Sequence, residues 1–254
     1  LWWGVMGMDL GAITSFLYGF RDREMITDIF EETCGARLTM NYNIPGGVMF
    51  DIPANFQTKV KEFITHFRQK LPEYDQLMTN NIIFRNRTEG IGVLTKEDAI
   101  SYGVTGPSGR ASGWSNDIRK SHPYSAYDRV DFKEIIYTEG DSFARYKARI
   151  EEMWESMNII EQLIDNIPEG NYQEKTRAVI KLPKMEIYQS VETARGELGV
   201  YINSDGKKNP YRVKFRSPGF SNLNALNTMA KGGKIADLVT IMSTIDLVIP
   251  DIDR

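Results

Sequence analysis

The chain has 254 residues, a formal net charge of −3 and 41% hydrophobic residues, enough for one large domain or two small ones around an ordinary core. Its basic residues are dispersed rather than gathered in a block, which argues against a nucleic-acid partner. Cys34 is the single cysteine and His66 and His122 are the only histidines. That excludes an internal disulfide framework, argues against a cysteine- or histidine-rich metal site, and fits a reducing compartment.

The opening stretch, Leu1 to Phe20, carries one charged residue, Asp9, in an otherwise apolar and small-residue setting. A carboxylate there is costly unless a partner or a proton relieves it, so it is retained for pairing or for chemistry. The pattern predicts one helix from the start to about Glu32. On it Asp9 shares a side with Val5, Ile13, Phe16 and Phe20, while Gly4, Gly7, Gly11, Ser15 and Gly19 form a small-residue stripe opposite. One side is then shaped for close contact with another helix, and the other lines an apolar space holding one acid. A membrane-spanning reading is rejected: Asp9 falls near the middle, the glycines lower the hydropathy, and no second span follows. With no initiating Met and no basic region ahead of the apolar run, a secretory signal is rejected too, and the chain reads as a fragment that starts inside a helix.

Gly35 is a natural stop for this helix. After the loop from Asn41 to Gly47, a second helix is expected from about Pro53 to Leu71, a short helical piece from Asn80 to Arg87, and a capped helix from Thr95 to Tyr102 with Thr95 and Asp98 as the box. Gly103 to Tyr124 is rich in Gly, Ser and Pro with Arg110, Asp117 and Arg119 embedded, and Trp114 marks it as a packed loop. A long helix follows, about Ser142 to Asn166, with Ala144, Ala148, Ile150, Met153, Met157, Ile160 and Leu163 facing the core; Pro168 and Gly170 end it. The pattern then alternates as strands over Glu186–Val191, Glu197–Ile202 and Tyr211–Phe215, with helices from Asn222 to Lys231 and Lys234 to Thr244 after the last. Helices, then a small antiparallel sheet, then helices make a single α+β domain over residues 1–254, mainly helical.

The chemistry these residues declare by themselves is sparse. Asp9 is as consistent with a structural ion pair as with proton handling. Asp246, the second acid in an apolar setting, could end the last helix. The Gly-Gly pairs at 46–47 and 232–233 fit no phosphate-binding loop, and Arg195-Gly196 and Arg216-Ser217-Pro218-Gly219 read as structural turns. Neither histidine has a partner that spacing suggests, so no Ser/His/Asp set can be drawn.

Four stretches together resemble one family: Met8-Asp-Leu-Gly-Ala-Ile-Thr14; Gly35-Ala-Arg37 with Pro45-Gly-Gly47; Arg110-Ala-Ser-Gly113 with Asp117-Ile-Arg119 and Pro123-Tyr124; and the end from Ala194-Arg-Gly-Glu197 to Asp253-Arg254, including Pro210 to Phe220. The chain resembles the 49-kDa, D-type subunit of respiratory complex I (NADH-quinone oxidoreductase), which is related to the large subunit of nickel–iron hydrogenases. The likeness covers nearly the whole chain and implies that mainly helical fold. Where hydrogenases carry two metal-binding cysteines near the C-terminus, this chain has Val248 and Asp251, so nickel–iron ligation is lost and no metal is expected here.

The resemblance implies a site for quinone, most simply menaquinone, built with the B-type iron–sulfur subunit and accompanied by the C-type subunit and the H-type subunit of the membrane arm. It implies an oxidoreductase coupled to proton translocation, peripheral on the cytoplasmic side of a bacterial inner membrane; a related membrane-bound hydrogenase-type or other donor:quinone complex, or a purely structural docking subunit, is the alternative. Asp9 matches an aspartate paired with a histidine on an N-terminal hairpin that would precede Leu1, as would the tyrosine that bonds the quinone, so the isolated fragment is expected to be inactive. Leu1, Val5, Phe16, Asp246 and Val248 match quinone-pocket positions. Arg37 and Thr39 match positions beside the terminal iron–sulfur cluster of the partner. Thr39 stands where many members carry a histidine, which implies a lower-potential cluster with little pH dependence. A helical segment common before the strand at Glu186 is absent, and Lys181 to Tyr188 connects directly.

Overall fold

The computed structural model describes residues 1–177 and 179–253; Arg254, the last residue of the terminal motif, lies outside them. The expected opening helix is two helices, α1 (Trp2–Asp9) and α2 (Ile13–Cys34). Gly11 takes the left-handed conformation at φ 91°, and Ala12 N–H donates to Gly7 O at 2.7 Å, which turns the chain back on itself. The small-residue stripe therefore serves the contact between α1 and its own continuation. A Cβ on Gly4 would lie 3.1 Å from Phe16 Cα, and one on Gly7 would lie 1.8 Å from Ser15 Oγ. Gly35 caps α2 at φ 73° as expected.

A two-residue hairpin, β1 (Asn43–Ile44) and β2 (Gly47–Val48), occupies the first loop. Helix α3 (Phe56–Tyr74) outruns its expected end: it passes through Pro72 and loosens into a π-turn over Asp75–Thr79. Proline donates no N–H, and the wider turn accommodates the break. Helix α4 (Ile82–Thr88) is capped by Asn81, and α5 (Lys96–Tyr102) by the predicted Thr95, whose Oγ1 accepts from Asp98 N–H at 3.1 Å. The glycine-rich loop folds into α6 (Gly106–Arg110), buried along its length, and α7 (Ile118–Ser121), which buries Ile118 and exposes Lys120 and Ser121.

Helix α8 (Ser142–Ile164) starts on Asp141, which accepts from Ala144 N–H. Its first half is buried on nearly every side, and it runs through the centre of the molecule. Strands β3 (Met185–Thr193), β4 (Gly196–Ser204) and β5 (Arg212–Arg216) form an antiparallel sheet in that order, with Ile187 opposite Ile202 and Ile202 opposite Val213. The helix expected from Asn222 begins earlier and breaks at Ala225, giving α9 (Pro218–Asn224) and α10 (Leu226–Ala230). Pro218 pre-sets the first turn of α9. Helix α11 (Ile235–Thr244) follows, then the short α12 (Ile249–Ile252).

Two apolar clusters hold this arrangement. Trp3, Met6, Leu71, Met78 and Tyr146 centre the first, among α1, α2, α3 and α8, and Leu94, Val104, Met229, Ile241 and Ile245 centre the second. Arg145, fully buried, joins them: it donates to Gly140 O, Gly92 O, Ser142 Oγ and Thr244 Oγ1. Among the described residues no helix is long and apolar enough to cross a membrane.

Candidate functional site

Helix α1 packs on α11, and this contact brings the opening segment to the residues just before the terminal tail. Ser243, near the end of α11, takes the Trp2 indole N–H on its carbonyl at 2.8 Å and gives its own hydroxyl to Asp9 at 2.6 Å. Trp2 and Asp9 are two turns apart on one face of α1, so a single serine meets both. Asp9 is exposed in this chain, at the C-terminal end of α1, not enclosed by apolar side chains. The helix break at Gly11 is the reason: Asp9 sits beside the turn, and Ile13, Phe16 and Phe20, expected to wall it off, lie on a different helix.

Asp246 adopts a left-handed backbone, φ 56°, immediately after α11. Arg195, on the turn between β3 and β4, meets it twice at 3.1 Å, once on the carboxylate and once on the carbonyl. Leu1 is exposed, and Val5, Phe16 and Val248 are half-buried. Asp251, at the second former cysteine position, accepts from Ser217 Oγ at 2.7 Å and Gly219 N–H at 3.2 Å, which anchors the start of α9.

Between the bundle and the sheet lies a cavity of about 450 Å³. Ile26, Phe63, Phe67, Met153 and Met157 make its apolar wall, and Arg110, Arg149, Glu152, Glu192 and Asp246 its charged one, with Trp2 between. Arg110 is paired: Glu152 lies at 2.7 Å and Glu192 at 2.8 Å. Burial weakens its charge, but Glu152, Glu192 and Asp117 more than restore it, so its pKa stands above the ordinary value. Asp117 is held below the usual carboxylate range because Arg119 and Arg110 outweigh its burial. Glu192 goes the other way; burial pushes its carboxyl up and Arg110 only partly offsets this.

A separate buried acid, missed in the sequence, is Asp22 on α2, 2% exposed. Arg21 Nε, His66 Nε2 and Tyr74 OH surround it at 2.8, 3.1 and 2.9 Å, and Trp3 stacks on the Tyr74 ring at 3.7 Å. His66 thus has a partner, forty-four residues away and invisible to local spacing. Arg37 is engaged by Glu24, Asp28, Glu31 and Thr27, which folds the segment after α2 back along it. Thr39, just beyond, is exposed with φ 51°.

Of the residues predicted for a site, Asp9 and Asp246 are gathered at the junction of α1 and α11, and Asp246 alone lines the cavity. The charged wall was only half legible. Arg110 stood out as a charge embedded in a glycine-rich loop, whereas Arg149 and Glu152 were hidden in an ordinary helical pattern. The repeat Ala144-Arg145 and Ala148-Arg149, arginines one helical turn apart beside core alanines, was the signal available.

The sequence profile described as the respiratory-chain NADH dehydrogenase, 49 Kd subunit matches residues 9–181 and 175–254. Over its full length the chain is 57% identical to the C/D-type subunit of NADH-quinone oxidoreductase from Bacteroides fragilis, spanning 48% of that protein. It is 46% identical to the D-type subunit of NADH-quinone oxidoreductase from Bacillus cereus, spanning 69%. The chain thus spans about half the length of the C/D-type relatives it matches. Among solved structures, a chain of the membrane-bound sulfane sulfur reductase, an archaeal respiratory membrane complex, superposes with a TM-score of 0.95 at 36% identity, covering 100% of this chain and 70% of that one. Profile, sequence and fold agree: the chain belongs to the respiratory-chain NADH dehydrogenase 49 Kd subunit family.

Proposed function

We propose that this chain forms, with an iron–sulfur partner, the place where electrons leave the protein for a quinone in an NADH-quinone oxidoreductase. The observation that carries the reading is the meeting of α1 with the end of α11. Asp9 is held by Ser243, and three residues later Asp246 enters a cavity with one apolar and one charged wall. An apolar wall suits a substituted ring, and the polar wall suits its oxygens. Two-electron reduction of a quinone consumes two protons, so an exposed acid tied to the end of α11 through Ser243 is suited to supply one. Leu1, Val5, Phe16 and Val248 complete the approach in this reading, Arg37 and Thr39 face the cluster of the B-type iron–sulfur subunit, and menaquinone is the acceptor. The C-type and H-type subunits, the cytoplasmic face of the membrane and coupling to proton transport belong to the same proposal.

The test is photoaffinity labelling of the assembled complex with a quinone analogue. Label is expected near Asp9 or Val248, and its absence there removes the site. In the same complex Asp9→Asn is expected to slow quinone reduction about 10- to 100-fold with assembly intact, the loss usual for a proton-transfer group; unchanged turnover would take Asp9 out of the chemistry. A sulfur acceptor is the second reading, favoured by the fold shared with the sulfane sulfur reductase. Turnover with polysulfide but not with quinone would select it.

A further inference from the structure

The cavity wall holds a cation that the described residues leave without a salt-bridge partner. Arg149 is 6% exposed and lies on α8. One terminal nitrogen donates to Arg145 O and the other to Ser108 Oγ, both at 3.1 Å, while Nε finds no acceptor. Among the described residues no carboxylate lies within salt-bridge reach of it, in contrast to Arg110 in the same wall. Its guanidinium stands 5.1 Å from the centre of the Trp2 ring, which supports a cation without neutralising it. Burial lowers its pKa to about 10, with Asp246 and Glu152 pulling back; it remains charged at neutral pH.

A buried guanidinium with a free N–H and no carboxylate in contact is costly unless something else supplies the acceptor. The walls restrict what that can be. Met153 and Met157, one and two turns along α8 from Arg149, and Phe63 and Phe67 on α3 line the same cavity and admit a flat apolar body rather than a hydrated ion. An oxygen carried on an aromatic ring, carbonyl or phenolate, meets both demands. We propose that Arg149 is a headgroup-binding residue, the cation that the ring oxygen meets at the inner end of the cavity. This rests on the quinone reading above and extends the site inward from Asp246. Because a cation attracts a phenolate more strongly than a carbonyl, Arg149 favours the reduced ring while its oxygen is still charged, before the protons are taken up.

The experiment uses the assembled membrane complex with a short-chain quinone and a photoreactive quinone analogue. Arg149→Gln is expected to lower kcat/KM roughly 10- to 100-fold, as the loss of one charged hydrogen bond does, and to abolish labelling of α8. Arg149→Lys, which keeps the charge but not the fork, is expected to recover part of both. Wild-type labelling of α8 with kcat/KM and label unchanged in Arg149→Gln would overturn the proposal and leave the quinone reading standing. No label anywhere on the wild-type chain would overturn both. If Arg149→Gln fails to assemble, Met153→Trp, which fills the cavity beside it, replaces it: a fall in kcat/KM and α8 label supports the proposal, and no change in either overturns it.

Discussion

Asp22 shows what a carboxylate costs and gains inside this protein. Burial pushes its carboxyl up, yet the hydrogen bonds from Arg21, His66 and Tyr74 together outweigh that, and its pKa lies below the ordinary value. A carboxyl with a depressed folded pKa stabilises the fold above its unfolded value near 3.9, and that stability is lost as pH falls towards the lower folded value. Thermal stability is therefore expected to fall steeply in acid for the native chain and less so for Asp22→Asn. At neutral pH the variant is expected to lose about 1–3 kcal/mol, since an amide cannot accept from three donors at once. Equal acid sensitivity in both would show that Asp22 is not the group responsible. Asp9 teaches the complement. Its apolar neighbours in sequence pointed to burial, and the turn at Gly11 leaves it at the surface with Ser243 as partner.

Periodicity found the longer helices, missed the short α6, α7 and α12, and misjudged where the chain turns. The small residues of the first thirty positions were legible as a contact stripe, but the partner was not, because a stripe declares close approach and not what approaches. The α1–α2 hairpin now makes separate demands of two glycines. Gly7 needs the space: a Cβ there would lie 1.8 Å from Ser15 Oγ and 2.8 Å from Ser15 Cβ. Gly11 needs only its backbone, with φ 91° and nothing nearby. Gly7→Ala is expected to cost about 1–3 kcal/mol through overpacking, and Gly11→Ala about 1–2 kcal/mol through left-handed strain alone. Denaturant titration reads both; adding Ser15→Gly should rescue Gly7→Ala and leave Gly11→Ala unrescued. Were Ser15→Gly to rescue neither, the close packing of α1 on α2 would not be the cause.

Across the whole molecule, segments remote in sequence converge through a few polar ties: Arg195 to Asp246, Arg145 to α11, and Ser243 to α1. The proposed contact of Thr39 with a partner's cluster belongs to this scale, because it concerns the assembled complex. Threonine does not titrate, so the cluster's midpoint potential is expected to change little between pH 6 and 8, against about 59 mV per pH unit for a fully proton-coupled one-electron step. A redox titration with a full slope would reject it. By its own pattern the sequence determined the α+β order, the caps at Thr95 and Gly35, and the three strands, because these depend on neighbours within a few positions. Its family motifs fixed the kinship. Only the tertiary structure decided that His66 meets Asp22, that Asp9 is exposed, and that Arg149 is buried with no salt-bridge partner among the described residues. Each of these depends on which distant segments pack together, and residue spacing along one chain does not encode that.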